Sequence, residues 1–243
     1  CFPIAENKNL LYLAKLDYQK TLLPLLKPSA LEAPLRLRHI VIDPGHGGKD
    51  TGAISKSLKI NEKTMVLDIA KRLKANLESL GYRVSLTRES DIFLPLPERP
   101  AIANKLNADL FVSIHLNASV ASVTGAETFC YTPQNAPSTP RSTLAPDDKI
   151  RQPANHYDIP NLWLAYDVQK NIVRSLGVPD RGVKRARFVV LETLQCPGIL
   201  IECGFLSNPT EGARLKTALY RQQVADAITS GIRSYHRRLL GGN

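Results

Sequence analysis

The stretch His39-Ile40-Val41-Ile42 runs straight into Asp43-Pro44-Gly45-His46-Gly47-Gly48, and its reading decides the fold. A short apolar run cut off by a Pro-Gly turn is the pattern of a buried strand whose two faces are both covered. Downstream, Glu62 to Leu80 sets Met65, Val66, Ile69, Leu73 and Leu77 at helical spacing, with Gly81 as its C-cap. That spacing predicts an amphipathic helix. Tyr82 to Thr87 then reads as a second strand, Arg99 to Leu106 as a second helix begun after prolines, and Leu110 to Leu116 as a third strand. Ala126 to Tyr131 reads as another strand. Regular structure resumes with a helix over about Leu162 to Leu176, strands near Phe188 to Leu191 and Gly198 to Glu202, and a last helix over Gln222 to Leu239. Strands and helices alternating at these lengths predict an α/β fold with a largely parallel sheet.

A chain of 243 residues supports one full-sized core, whereas two cores would each be small, so a single main domain is expected. Residues 1–36 read as an N-terminal extension made of a short helix, rich in leucines from Leu10 to Leu26, and a proline-containing linker. The domain proper is placed at residues 37–240. Within it, residues 132–160 carry six prolines among many polar residues, which predicts a long loop or flap.

Hydrophobic residues make up 43% and charged residues 22%, as in an ordinary folded chain. No apolar run reaches the ~18 residues of a membrane span. The formal charge of +10 calls for an anionic partner. Nucleic acid fits poorly, because only 6% of residues are aromatic and no helix-turn-helix or RNA-binding signature is found. Cys1 in first position fits a lipid-modified, exported chain tethered to the inner membrane, and fits an arbitrary truncation point equally well. Cys130, Cys196 and Cys203 have neither zinc-ribbon spacing nor disulfide-scaffold density, and read as small core residues.

In an open α/β sheet, ligands gather beyond the carboxyl ends of the strands. His46 follows strand one, His115 ends strand three, Glu62 opens a crossover helix and Glu202 closes the strand Gly198 to Glu202. Two histidines and a carboxylate with one position left open form the ligand set of catalytic zinc, and a further carboxylate can act on the water beside it. Taken singly, Glu62 reads better as a helix-start dipole partner. Glu202 reads better as functional, since an acid in an otherwise apolar strand is costly unless used. His39 and His236 read as structural, and His156 and Asp158 as parts of a solvated loop.

Four motifs in order carry more than spacing does: Asp43-Pro-Gly-His-Gly-Gly-Lys-Asp-Thr-Gly-Ala53, Glu62-Lys63, Ser113-Ile-His-Leu-Asn-Ala118 and Ile201-Glu-Cys-Gly-Phe-Leu-Ser-Asn-Pro209. Together with Thr87-Arg88, Asp91, Leu96, Arg99, Ala103 and Asn104, they resemble the zinc-dependent N-acetylmuramoyl-L-alanine amidases of the AmiA/AmiB/AmiC type, from about His39 to Arg238. The resemblance implies a twisted sheet flanked by helices on both faces. It implies one Zn2+ per chain held by His46, Glu62 and His115, with Glu202 as the catalytic carboxylate. The implied reaction is hydrolysis of the amide between N-acetylmuramic acid and L-alanine in peptidoglycan or its muropeptides, by an exported monomer of the periplasm or cell envelope, in cell-wall organisation and division. Cys203 departs from the aliphatic or small residue usual in the family, and a thiol beside the catalytic acid invites oxidation. Some relatives block the zinc with an inserted helix, a device for which the proline-dense 132–160 stretch is ill suited.

Other readings are weaker. Neither G-x-G-x-x-G nor G-x-x-x-x-G-K-[ST] aligns at Gly45 to Gly48, and no serine has lysine three residues later, as an S-x-x-K peptidase requires. The nearest rival is a zinc carboxypeptidase cutting within the stem peptide, since the same metal and glutamate hydrolyse any suitably placed amide. A metal-free wall-binding module is a third reading.

Overall fold

The computed structural model describes residues 5–7, 10–26, 37–139 and 141–241. Six strands form one sheet: β1 (His39–Pro44), β2 (Arg83–Leu86), β3 (Leu110–Asn117), β4 (Ala126–Tyr131), β5 (Asp180–Ala186) and β6 (Gly198–Phe205). Their order across the sheet is β2-β1-β3-β6-β4-β5. The first four are mutually parallel, β4 runs antiparallel to β6, and β5 is parallel to β4. The sheet is therefore mixed and mostly parallel, as the strand–helix alternation predicts.

Every residue of β1 is buried, which explains its unbroken apolar run. Ile40 and Ile42 join one core with Leu110, Val112, Ile114, Ile199 and Ile201, and Val41 joins a second with Phe111 and Leu200. Alternation along each strand thus feeds two cores, one per face. The larger is covered by three long helices, α1 (Glu62–Ser79), α3 (Asp158–Leu176) and α5 (Ala218–Leu239). The smaller is covered by α2 (Glu98–Lys105) and a helical turn over Val189–Glu192, while α4 (Pro209–Lys216) leads into α5. Helices on both faces make this a layered α/β domain.

Local chemistry sets the ends of these helices. The Asn61 side chain accepts from Thr64 N at 3.1 Å and caps α1, and Gly177, at φ +61°, closes α3.

Three expected elements fall elsewhere. The strand placed near Phe188 to Leu191 is the helical turn Val189–Glu192, and the strand itself is Asp180–Ala186. Its sequence, Asp-Arg-Gly-Val-Lys-Arg-Ala, carries no apolar alternation because β5 is a sheet edge, whereas Val190 and Leu191 are apolar because they roof the second core. Helix α3 begins four residues before Leu162, and the last helix begins at Ala218, before Gln222, where Thr217 caps Tyr220 N at 3.2 Å.

Among the described residues of 132–160, the helical structure before α3 begins at Asp158 is two 3-10 turns, Pro146–Lys149 and Pro153–Tyr157. The short helix expected in the N-terminal extension is present as a helical segment over 15–26, with a π turn at Tyr18–Leu22. It is fastened by Trp163 Nε1 donating to Pro24 O at 2.8 Å and Arg185 donating to Lys20 O at 2.7 Å. The expected linker falls on residues 27–36, and Cys1 precedes residue 5; both lie outside the described residues.

Candidate active site

The chain leaves β1, crosses to β2 on one side, and returns to β3 on the other, so the strand order switches at the β1/β3 boundary. The carboxyl ends of these two strands form the crevice where such sheets bind ligands. His46 sits two residues past β1 in a left-handed conformation, φ +59°, which a non-glycine residue adopts only when its surroundings hold it there. Those surroundings are two buried arginines. Arg99 donates to Asp43 Oδ1 (2.8 Å), Pro44 O (2.9 Å) and His46 O (2.8 Å), and Arg88 donates to Pro44 O (3.0 Å) and Gly45 O (2.8 Å). Asp43, fully buried, also accepts from Thr87 Oγ1 at 2.6 Å and Ser113 Oγ at 2.7 Å, which ties β1 to β2 and β3 just below the site.

Glycine is required where the loop passes the site. A Cβ at Gly45 would stand 2.2 Å from the His115 ring, and one at Gly52, φ +61°, would stand 2.5 Å from Glu62 Oε2 and 2.7 Å from His46 Cδ2.

His46 Nε2 and His115 Nδ1 each lie 3.0 Å from the same carboxylate oxygen, Glu62 Oε1. One ligand atom from each residue lies within 4.8 Å of the others. The Glu62 carboxylate is fixed by backbone donors, Leu116 N to Oε1 (2.9 Å) and Ala53 N to Oε2 (2.8 Å). Asp50 Oδ2 stands 2.8 Å from His46 Nδ1, which orients that ring and leaves Nε2 facing the cluster. Burial opposes charge on Glu62, but hydrogen bonds from His115 and His46 outweigh it and hold the carboxyl at about 2. Burial likewise opposes charge on His46, and Glu62 and Asp50 outweigh it, raising its pKa above the ordinary value. Two ring nitrogens and a carboxylate thus converge at one point. A divalent metal fits that donor set, which makes His46, Glu62 and His115 a candidate metal site of the open, three-ligand kind.

Glu202 lies on β6 directly across from His115 in the parallel register, and across from Glu127 on β4. Its Oε2 is buried and accepts no hydrogen bond among the described residues. Burial first, then the charges of Glu62 and Glu127, push its pKa well above the usual carboxylate range, with Lys184 pulling the other way. Glu127 is itself satisfied by Asn117 Nδ2 (2.8 Å), Arg181 Nε (2.9 Å) and Lys184 Nζ. His46, Glu62, His115 and Glu202 share a cleft of about 420 Å³, walled on its apolar side by Leu96, Phe188, Val189 and Leu200.

The four residues singled out in the sequence therefore meet at one cleft. The other histidines lie apart from it: His39 contacts Leu106 O and Ser85 Oγ, His236 contacts Tyr82 Oη, and His156 contacts Pro153 O. Asp158 pairs with Lys20 at 3.2 Å. Sequence reasoning missed the parts played by Asp50, Arg88 and Arg99. Asp50 carried a usable signal, four residues after His46; the arginines carried little, because most of their partners are backbone carbonyls.

The family model for N-acetylmuramoyl-L-alanine amidases, Amidase_3, matches residues 40–234. The chain belongs to this family. Among amidase relatives, it is 37% identical to the N-acetylmuramoyl-L-alanine amidase LytC of Bacillus subtilis (strain 168), over 85% of this chain and 37% of LytC. It is 36% identical to AmiA of Escherichia coli (strain K12), over 82% of this chain and 76% of AmiA. It is 37% identical to AmiC of Escherichia coli O6:H1, over 90% of this chain and 59% of AmiC. The chain thus spans well under half of LytC and about three fifths of AmiC. The crystal structure of the N-acetylmuramoyl-L-alanine amidase from Clostridium difficile 630 superposes with a TM-score of 0.68 at 36% identity, covering 82% of this chain and 96% of that one.

Proposed function

We propose that this chain is a zinc amidase that hydrolyses the bond between N-acetylmuramic acid and the L-alanine of the peptidoglycan stem peptide. His46, Glu62 and His115 would hold the metal, and Glu202 would be the catalytic carboxylate. The observation that carries the reading is the convergence of those three donor atoms within 4.8 Å beside the unpartnered Oε2 of Glu202, in the cleft of an amidase-family domain. Zinc bound there supplies Lewis acidity and makes water more acidic, bringing its pKa from 15.7 toward ~7.

The residues of the chain do the rest. Oxygen and nitrogen ligands suit zinc, and Asp50 fixes the tautomer that presents His46 Nε2. Glu202 accepts the proton of the attacking water and returns it to the departing L-alanine nitrogen. A carboxylate with an ordinary pKa is a weak base, and burial beside two other acids raises its affinity for that proton. Leu96, Phe188, Val189 and Leu200 give the cleft an apolar lining against which the substrate would pack. Because the substrate is peptidoglycan, we place the working enzyme outside the cytoplasm, in the periplasm or cell envelope. We assign the catalytic unit to residues 37–240 as a monomer, with 1–36 as an extension. No helix among the described residues is long and apolar enough to cross a membrane.

The test is zinc content measured together with mass spectrometry of the products from purified muropeptides, with and without a chelator. Intact stem peptide released only by the zinc-loaded chain is the expected result. Release of terminal D-alanine would make the chain a carboxypeptidase, and zinc without product would make it a binding module.

A further inference from the structure

Helices α3 and α5 run antiparallel, as the pairs Asp167–Arg238 and Asn171–Ser234 show, and their outer side faces away from the sheet. Between them opens a cleft of about 420 Å³ whose charged lining is Lys170, Arg174, Arg237, Arg238 and Asp167. Four cations against one carboxylate leave it a net charge of +3. The carboxylate is already committed, because Asp167 takes both oxygens to Arg238 at 2.7 and 2.8 Å. Lys170, Arg174 and Arg237 are exposed, and no carboxylate lies within ion-pair distance of them among the described residues. Lys170 and Arg174 stand one turn apart on α3, roughly 6 Å between Cβ atoms. A second cleft, of about 470 Å³, lies on the other side of α3 and is lined by the same two residues and one carboxylate, Asp180, whose Oδ1 already accepts from Gln169 Nε2 (2.7 Å) and Gly182 N (2.8 Å). The two cations therefore form a ridge that can be approached from both sides.

Like charges held at this spacing repel one another unless a counter-charge joins them. We propose that the α3–α5 face binds a linear polyol or sugar phosphodiester polymer, and so holds the catalytic rim close to the wall. Guanidinium and ammonium groups are the usual partners of phosphate oxygens. A ridge with a cleft on each side suits a chain of repeated anionic groups lying across it, which a single small anion could not exploit. Nucleic acid is the less fitting phosphodiester. Base stacking needs free aromatic faces, whereas Tyr166, the one exposed large apolar side chain lining either cleft, already has Lys170 and Arg238 within 5.8 and 5.9 Å of its ring. An anionic bilayer also fits less well, since the cations line concave clefts whose aliphatic members, Val173 and Val183, are half-buried, and the one exposed ring, Tyr166, lies beneath two cations.

The test uses the full zinc-loaded chain and a synthetic poly(glycerol phosphate), titrated calorimetrically at low and moderate salt. The chain should bind, and its affinity should fall as salt rises. The triple variant Lys170→Gln/Arg174→Gln/Arg237→Gln should bind at least tenfold more weakly. The equally neutralised control Lys71→Gln/Lys105→Gln/Lys216→Gln should lose less than threefold. Both variants should keep the hydrolysis rate on a small soluble muropeptide, which checks the fold and separates this binding site from the catalytic one. Equal weakening in the two triple variants would overturn the proposal, leaving only diffuse charge. So would α3–α5-dependent binding that is as tight to poly-L-glutamate, or tighter to phosphatidylglycerol vesicles, than to the phosphodiester. Loss of fold in the first variant leaves the competition between phosphodiester, polyglutamate and vesicles on the unmodified chain to decide, with the control variant bounding the diffuse charge.

Discussion

Two regions of this domain bury carboxylates, and they treat them in opposite ways. In the proline-rich stretch 132–160, Asp148 is fully buried and every contact serves it: Arg141 at 3.0 Å, Arg187 at 2.8 Å and Ala145 N at 2.7 Å. At the rim proposed to be catalytic, Glu202 buries an oxygen with no partner among the described residues, beside two other acids, and His46 is held at a positive φ. A buried polar group without a partner costs free energy, so its persistence needs a reason other than stability. The satisfied carboxylate builds structure, and the unsatisfied one marks the site.

The comparison predicts opposite outcomes for removing each acid. Glu202→Gln should lower kcat on muropeptides by about 10³- to 10⁴-fold, the scale of a general acid–base contribution, while zinc content and urea midpoint stay at wild-type values. A variant that kept more than a tenth of the activity would take the proton-transfer role away from Glu202. Asp148→Ala should instead leave Arg187 half-buried without its main partner and cost roughly 3 kcal/mol of stability in urea titration, with kcat within about twofold for the folded fraction. If activity fell as far as stability, the loop would belong to the site after all.

Asp50 sharpens the comparison from within the rim, since it reaches the proposed ligand set through His46. Asp50→Ala should weaken zinc binding by about 10- to 100-fold, as read by competition with a chromogenic chelator. The pH dependence has a definite sign. Metal binding needs a neutral imidazole, and His46 has a raised pKa, so affinity is full above that pKa and falls as pH drops through it, by about tenfold per unit. Without Asp50 the imidazolium loses one of its two stabilising carboxylates, so the fall should begin at lower pH. An unshifted onset would mean that Glu62 alone sets the His46 titration.

Much of this was legible in the sequence, for physical reasons that can be named. Ile40 to Ile42, Leu110 to Leu116 and Gly198 to Glu202 are strands covered on both faces, and such strands are written as unbroken apolar runs. Once they are placed, the switch in strand order brings His46, His115 and Glu202 to one rim. Edge strand β5 was not legible, because it carries Arg181 and Lys184 toward Glu127 and Arg185 against the 15–26 segment, where an inner strand would carry valine. Glu62 stood between two readings, since the same residue both opens α1 and stands in the proposed ligand set, and only the distances to His46 and His115 bring out the second role. The cradle of Arg88 and Arg99 escaped notice because backbone carbonyls, which every sequence has, are most of its partners.

The smallest effect is expected one residue from Glu202, the acid proposed to be catalytic. Cys203 neighbours Glu202 in the chain, and on spacing alone its thiol looks exposed to oxidation there. Alternation along β6 sends the two side chains to opposite faces, so Glu202 lines the cleft while Cys203 is 1% exposed in the larger core. Burial, then the charges of Glu202 and Glu62, push the thiol pKa far up, so almost none of it is thiolate, the reactive form. In the native chain, a thiol-alkylating reagent should leave Cys203 unmodified over hours, as it should Cys130 and Cys196, which are buried and shifted in the same direction. Cys203→Ala should cost about 1 kcal/mol in stability for the small cavity and change kcat by less than twofold. Rapid labelling of Cys203 without loss of fold would show that β6 opens at the rim, and the unpartnered oxygen of Glu202 would then be reached by water between turnovers.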